Sequence, residues 1–395
     1  MPDVFPPGRG ASPVPGNGID QSTTEILYDT LPKPMSHVAH IIPRTLTAGQ
    51  AGEPVVINPL QYPGWDSLLA AHPEGSFFHG TAWARVLHEA YSHRPAYLGV
   101  IADGRILGLL PVMEVNSPLT GRRGVSLPFT DHCPVLASEA IEAAHLFADC
   151  LHYGRTRGWR SVECRGMVEG LPDAKPSLSF YSHKINLIQG ETRLWAGFKS
   201  RVRTPIRRAQ EAGVRIDFET GPEAVDAYYS LHCRTRRKHG LPPQPFSFFQ
   251  NIQQHALARE NGWVALARWR GKVVAAGIFV HLGKRAIHKF GASDPAYQHL
   301  SANHLLMWDT IRRYCSAGFE SLDLGRTSMG HEGLRQFKQG FGPEERQISY
   351  CKYNYRANAF VVDRDQVEGW FNSVFRRLPM PLLRWAGKML YPHLS

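Results

Sequence analysis

The sequence predicts an α/β protein built from two copies of one mixed strand-and-helix unit behind a Pro/Gly-rich leader. Three observations carry this expectation. First, 395 residues suggest about two domains at ~150 residues each. Second, Gly158-Trp159-Arg160-Ser161-Val162-Glu163-Cys164 and Gly318-Phe319-Glu320-Ser321-Leu322-Asp323-Leu324 share one pattern: Gly, aromatic, polar, Ser, apolar, acid, apolar. Third, similar hairpin signals sit at Asp103-Gly104 and Arg270-Gly271, so the same elements recur in the same order.

Residues 1–54 are rich in Pro, Gly, Ser and Thr, show no sustained period, and read as a leader without stable structure. The first unit opens with a strand at Val55-Val56-Ile57 and a short helix over 65–71. A second helix starts at Thr81, which suits an N-cap, with Trp83, Leu87, Ala90 and Tyr91 on one face. Strands are expected over 97–102 and 105–115 around Asp103-Gly104, then over 124–129. A helix over 138–156 and a strand over 159–164 complete the unit.

The second unit repeats the order. A strand over 214–218 leads to Pro222, which suits N1 of a helix ending near Gly240. Ser247 opens another helix, to about 261. Strands over 263–269 and 272–281 flank Arg270-Gly271. A strand over 285–290, a helix over 301–316, a strand over 319–324, a helix over 332–339 and a strand over 346–355 follow.

Hydrophobic residues at 43% and charged residues at 20% exclude wholesale disorder. Lys+Arg 45 against Asp+Glu 34 gives +11, which points to an anionic partner. The six cysteines lack CxxC spacing and zinc-ligand clustering, so no metal is expected and they read as thiols of a reducing compartment. Neither a membrane-spanning run nor a signal-peptide core is present, and a cytoplasmic protein is expected. The chain has no phosphate-binding P-loop, HExxH or GxSxG motif. His304 and Asp309 match an HxxxxD pattern, but on a helix they would point about 140° apart.

Basic segments supply the candidate sites. Thr204 as N-cap, Pro205 at N1 and Gly213 at C′ predict a short helix with Arg207 and Arg208 in its first turn. An anion docked there, with Lys199, Arg201 and Arg203 nearby, would relieve the clash with the helix dipole. Arg236 and Arg237 sit in a cluster at a helix C-terminus, where the dipole favours cations, and the stiff Leu241-Pro242-Pro243-Gln244-Pro245-Phe246 that follows would equally suit the wall of a binding cleft. Asp323 and Arg326 lie at the C-terminal end of a strand, a usual place for ligands in α/β sheets. Arg335 and Lys338 share one face of the helix that follows.

The second unit's element order is similar to the GNAT acyltransferase fold. The stretches 203–213, 235–243, 302–308, 318–326 and 333–342 resemble Fem-type proteins, double-GNAT enzymes related to the aminoacyltransferases of peptidoglycan cross-bridges. The resemblance covers about 60–358. It implies two tandem GNAT-like domains, 55–190 and 191–358, and the poorer basic content of the first points to the second as the active copy; beyond them, 359–395 read as a basic amphipathic tail. It implies transfer of an acetyl, acyl or aminoacyl group from acyl-CoA or aminoacyl-tRNA to an amine of a cell-envelope, polysaccharide or amino-acid acceptor, either small or lipid-linked. By this resemblance Lys338 neutralises charge on the reacting carbonyl or on a substrate phosphate; Asp323 or Glu344 would accept the amine proton, and Tyr350 or Tyr353 would donate one to a leaving group. Gln298, Ser301, Ala302, Asn303 and Arg326 would meet the donor, although Ser301 and Asn303 stand where single-domain GNAT loops carry glycine. Lys199, Arg203, Arg207, Arg236, Arg237 and Arg335 would meet substrate anions. The alternative is a non-catalytic module binding RNA or anionic lipid. Trp, Phe and Leu mixed with cations over 370–391 read as two short interfacial pieces, interrupted by Pro379 and Pro381, that would touch a membrane surface or dock on the body.

Overall fold

A computed structural model describes residues 55–171, 173–363 and 370–394; the expected leader lies outside them. In chain order the first half comprises β1 (Val55–Ile57), α1 (Trp65–Ala71), α2 (Thr81–Tyr91), β2 (Arg94–Pro95), β3 (Tyr97–Ala102), β4 (Arg105–Leu110), β5 (Met113–Ser117) and β6 (Gly121–Val125). It continues with β7 (Leu136–Ala137), α3 (Ala140–Thr156), β8 (Ser161–Cys164) and β9 (Pro176–Asn186). Then come α4 (Glu191–Gly197), α5 (Ser200–Glu211), β10 (Arg215–Glu219), α6 (Pro222–Lys238), α7 (Phe246–His255), β11 (Gly262–Trp269), β12 (Lys272–Leu282) and β13 (Arg285–Ser293). The chain ends with α8 (Ala302–Ser316), β14 (Ser321–Asp323), β15 (Thr327–Ser328), α9 (Glu332–Gln339), β16 (Glu344–Asn354), β17 (Ala359–Phe360), α10 (Trp370–Arg377) and α11 (Met380–Leu390).

A small antiparallel sheet orders β1-β3-β4-β7, and one long sheet runs β10-β11-β12-β13-β14-β9-β16-β8-β6-β5-β2. The repeat read from the two heptapeptides is visible in this sheet. Each half has a parallel pair joined through a long helix: β6 with β8 across α3, and β13 with β14 across α8. Both pairs hold only three residues in register, Arg123–Val125 against Ser161–Glu163 and Arg285–Ile287 against Ser321–Asp323. Gly158 and Gly318 both turn the chain from helix to strand in the left-handed region, at φ 68° and 70°, which only glycine adopts without strain.

Three expectations need correction. The strand expected over 105–115 is two strands in two sheets, because Pro111 has no N–H to continue a ladder and the chain changes sheet there. The strand expected over 124–129 ends at Val125, and Leu127 and Phe129 take positive φ in the loop beyond it. Thr204 does not cap a helix: α5 begins at Ser200 with Lys199 as N-cap, and Pro205 lies inside it. The left-handed Gly213 does follow the helix as expected.

Two apolar cores flank β12. Ala276, Ile278 and Val280 join Trp83, Tyr228 and Phe248 on the α2, α6 and α7 side. Ala275 and Phe279 join Phe198, Trp308 and Ile311 on the α4, α5 and α8 side. Buried on both faces, β12 reads as a nearly continuous apolar run.

Candidate active site

The two parallel pairs differ in what fills the notch beyond them. In the first half the chain stitches its own notch shut. The Ser126 N–H donates to the Glu163 carbonyl at 2.7 Å. Its Oγ accepts from the Arg165 N–H at 2.7 Å and donates to the Cys133 carbonyl at 3.0 Å. In the second half β13 runs on to Ser293, whereas its pairing with β14 stops at Ile287. A bulge opposite Ile278–Phe279 leaves Lys289 as the extra residue of β13 at this fork.

Charged side chains from both halves converge at the fork. Asp131, from the loop after β6, accepts from Lys289 Nζ at 2.9 Å, and Arg326 Nε lies 3.9 Å from its other oxygen. Burial opposes ionisation of Asp131, but Lys289 and Arg326 outweigh it and hold the carboxyl below its usual range. Arg326 Nη1 donates to the Tyr350 hydroxyl at 2.8 Å, and that hydroxyl donates to the Asp131 carbonyl at 2.5 Å. Arg165 closes the far side, donating to the Thr130 carbonyl at 2.6 Å and pairing with Glu163 at 3.2 Å.

Lys338 projects from α9 into this cluster and is 5% exposed. Its Nζ donates to the carbonyls of Gly325 at 2.7 Å and Arg326 at 3.0 Å, leaving one of three N–H donors uncommitted to them. Burial lowers its pKa to about 8, against the opposing pull of Asp131 and Asp323. Asp323 is pushed up to about 6 by burial, though one oxygen accepts the Gly325 N–H at 2.7 Å. Gly325 must be glycine: φ is 75°, and a Cβ would stand 3.3 Å from the His288 carbonyl and 3.5 Å from the Asp131 carboxylate. His288 is half-buried over Phe279 with rings 4.7 Å apart, and desolvation lowers its pKa to about 4, so it is neutral. A raised carboxyl beside a lowered ammonium suits general acid–base work at neutral pH.

The structure thus brings together Lys338, Asp323, Arg326 and Tyr350. It separates the others. Glu344 is exposed and pairs with Arg346. Tyr353 lies further along β16 and donates to Asn358 at 2.7 Å. Tyr350 already spends its proton on the Asp131 carbonyl, so it positions Arg326 and Asp131. Arg335 grips Glu345 with two bonds, 3.0 and 2.6 Å, and lies 3.8 Å over the Tyr181 ring, which ties α9 to the sheet. Arg236 donates to the Tyr391 hydroxyl at 2.8 Å and the Pro242 carbonyl at 3.2 Å, so it anchors the C-terminal segment; Arg237 is exposed. Sequence reading missed Asp131, His288 and Lys289, since nothing local marks Thr130-Asp131-His132-Cys133 as part of a site whose members from Lys289 to Lys338 lie 158 to 207 residues further along the chain.

The earlier start of α5 changes the anion-site reading. Arg207 and Arg208 lie in the middle and last part of the helix, not its first turn. Lys199, Arg203 and Arg207 now follow at i, i+4 and i+8, a stripe about 80° wide, and none pairs with a carboxylate among the described residues. Helix α5 packs against α8 and the turn over 295–300. Gln298 and Asn303 are exposed there, Ser301 takes φ 55° at the start of α8, and Ala302 is buried behind it. An anionic donor would therefore be held by cations and exposed side chains rather than by a glycine-lined loop. Among the described residues no His, Cys, Asp and Glu group is arranged to hold a metal ion.

Residues 196–339 match the family model described as an acetyltransferase (GNAT) domain. This part of the chain is similar to a GNAT domain. The structure described as FemX superposes with a TM-score of 0.63, covering 78% of this chain and 98% of that one at 14% identity. A UDP-N-acetylmuramoylpentapeptide-lysine N(6)-alanyltransferase of Weissella viridescens is 23% identical over 122 residues, 31% of this chain and 31% of that protein. That match spans about a third of the curated relative's length. The GNAT match contains α5, the fork of β13 and β14, and Lys338, while Asp131 lies outside it.

Proposed function

We propose that the protein is an N-acyltransferase that moves an acetyl, acyl or aminoacyl group from a polyanionic donor onto an amine of a cell-envelope, polysaccharide or amino-acid acceptor. The observation that carries this reading is the buried Lys338 ammonium at the open fork, in one cluster with Asp131 and Asp323. A neutral amine attacks the donor's carbonyl carbon; the C–N bond forms as the C–S or C–O bond to the carrier breaks. The uncommitted N–H of Lys338 stabilises the oxyanion, and Asp323 receives the amine proton and returns it to the departing sulfur or oxygen of the carrier. Asp131, Lys289, Arg326 and Tyr350 hold these groups in place. The stitched notch of the first half supports assigning turnover to the second.

The donor is acyl-CoA or aminoacyl-tRNA. The GNAT domain favours the first, and the curated alanyltransferase relative favours the second. Both are polyanions that the Lys199–Arg203–Arg207 stripe suits. Calorimetric titration with acetyl-CoA and with charged tRNA at moderate salt separates them, and turnover is then followed with a panel of amines. Lys338→Ala should lose turnover by a factor of about 10²–10³ and keep donor affinity. Replacing Arg203 and Arg207 by Glu should weaken the donor by about tenfold or more while leaving the fold intact. Steeply salt-dependent polymer binding without turnover would instead favour the non-catalytic polyanion module.

A further inference from the structure

Helix α11 is covered on one side only. Leu383 and Gly387 are buried, and a Cβ on Gly387 would overlap the Pro243 carbonyl oxygen, so this face is fitted against the 241–245 segment. Tyr391, just beyond, is buried and its hydroxyl donates to the Pro242 carbonyl at 3.2 Å. The docked body therefore fixes which face looks outward. That face carries Leu382, Trp385 and Met389, 53%, 64% and 50% exposed. At 100° per residue these three fall within about 60° of arc, turned roughly 150° from the buried pair.

The charge pattern says what covers this stripe. Arg384 and Lys388 border one side of it on α11, and Arg376 and Arg377 are exposed at the end of α10. None of the four pairs with a carboxylate among the described residues; Arg384 lies only over the Tyr229 ring, at 5.3 Å. From Trp370 to Ser395 the sequence contains no Asp or Glu at all. A cavity of about 560 Å³ opens beside Trp385, with Arg384 and Lys388 on its wall. Outward Trp, Leu and Met bordered by unpaired cations match the interface of an anionic bilayer, where an amphipathic ring sits at headgroup depth. Among the described residues no helix is long and apolar enough to cross a membrane, so contact here would be at the surface.

We propose that the outward face of α10 and α11 docks the protein onto an anionic lipid surface, with Leu382, Trp385 and Met389 entering the interface and Arg376, Arg377, Arg384 and Lys388 meeting the headgroups. The docked tail then holds the body of the enzyme beside the leaflet.

The test is co-sedimentation of the full-length protein with extruded vesicles, of phosphatidylcholine alone or of phosphatidylcholine and phosphatidylglycerol in equal parts. Binding to the anionic vesicles and its weakening by salt are expected. Replacing Arg377 and Lys388 by Glu should lower the vesicle partition coefficient at least about 30-fold, at about 1 kcal/mol for each cation removed. Replacing Leu382, Trp385 and Met389 by Ser should abolish binding, with an unchanged circular dichroism spectrum and melting temperature, because all three side chains are exposed. Equal partition into both vesicle types, or none, would overturn the proposal. So would self-association or tRNA binding that the Ser variant removes while vesicle binding stays absent.

Discussion

Replacing Lys338 by Met tests whether the ammonium at the fork is truly desolvated, without knowledge of any substrate. An unperturbed lysine has the same proton affinity folded and unfolded and adds nothing to the pH dependence of stability. Lys338 instead falls from an ordinary 10.5 to about 8 on folding, through burial. The unfolded chain then binds more protons between these values, so stability rises with pH across that window and the deficit is fullest below about 8. At about 1.4 kcal/mol per pH unit, the full deficit is about 3 kcal/mol. Between pH 7 and pH 9.5 titration of the two states recovers about 2 kcal/mol of it. In Lys338→Met this component is absent. The stability of the wild type relative to the variant should therefore increase by about 2 kcal/mol from pH 7 to pH 9.5. Urea unfolding followed by the fluorescence of the nine tryptophans measures both proteins at both pH values. Using the difference cancels the titration of groups common to both. The absolute difference at pH 7 also contains the lost bonds to the Gly325 and Arg326 carbonyls, so only its change with pH is diagnostic. A difference that stays flat with pH would refute a desolvated Lys338 and, with it, a lysine tuned for work near neutrality.

Asp131→Asn leaves Lys289, 6% exposed, without its counter-charge and should cost about 3–5 kcal/mol in thermal or urea unfolding; adding Lys289→Met should restore most of that loss. Gly387→Ala should free α11 from Pro243, detected as new protease cleavage after residue 363 with the body intact. Glu345 is held down to about 2, chiefly by Arg335, with Gln339 and His183 adding hydrogen bonds. Its stabilising effect is present above about 4.5 and lost as pH falls through about 2, so Glu345→Gln should flatten acid destabilisation in that window, as read by melting temperature.

The fold was legible where periodicity and turn chemistry were strong. The hairpin at Arg270-Gly271, the N1 proline of α6 and the limits of α9 all follow from local residues. Strand β9 was missed because its Ser, Tyr, His and Lys residues do not read as a buried strand, although it fills the centre of the sheet between β14 and β16. The start of α5 was misread because proline at N1 is a strong signal, and the packing of Val202 and Ile206 against α8 overrides it. At the site, Lys338, Asp323 and Arg326 were legible as a strand end followed by a short helix. Asp131 was not, since its role exists only once the two halves share a sheet.

That shared sheet constrains how the chain can be made. Strand β8 pairs with β16, Cys164 against Cys351, and β16 also pairs with β9. During synthesis at roughly 5–20 residues per second, β8 would wait about 10–40 s for the partner that covers its edge. Neither half can complete its sheet while still on the ribosome without the other, and such distant pairing slows folding. A chain cut before Glu344 would leave β8 and β9 side by side with their facing edges unpaired, a template for aggregation rather than a smaller working enzyme.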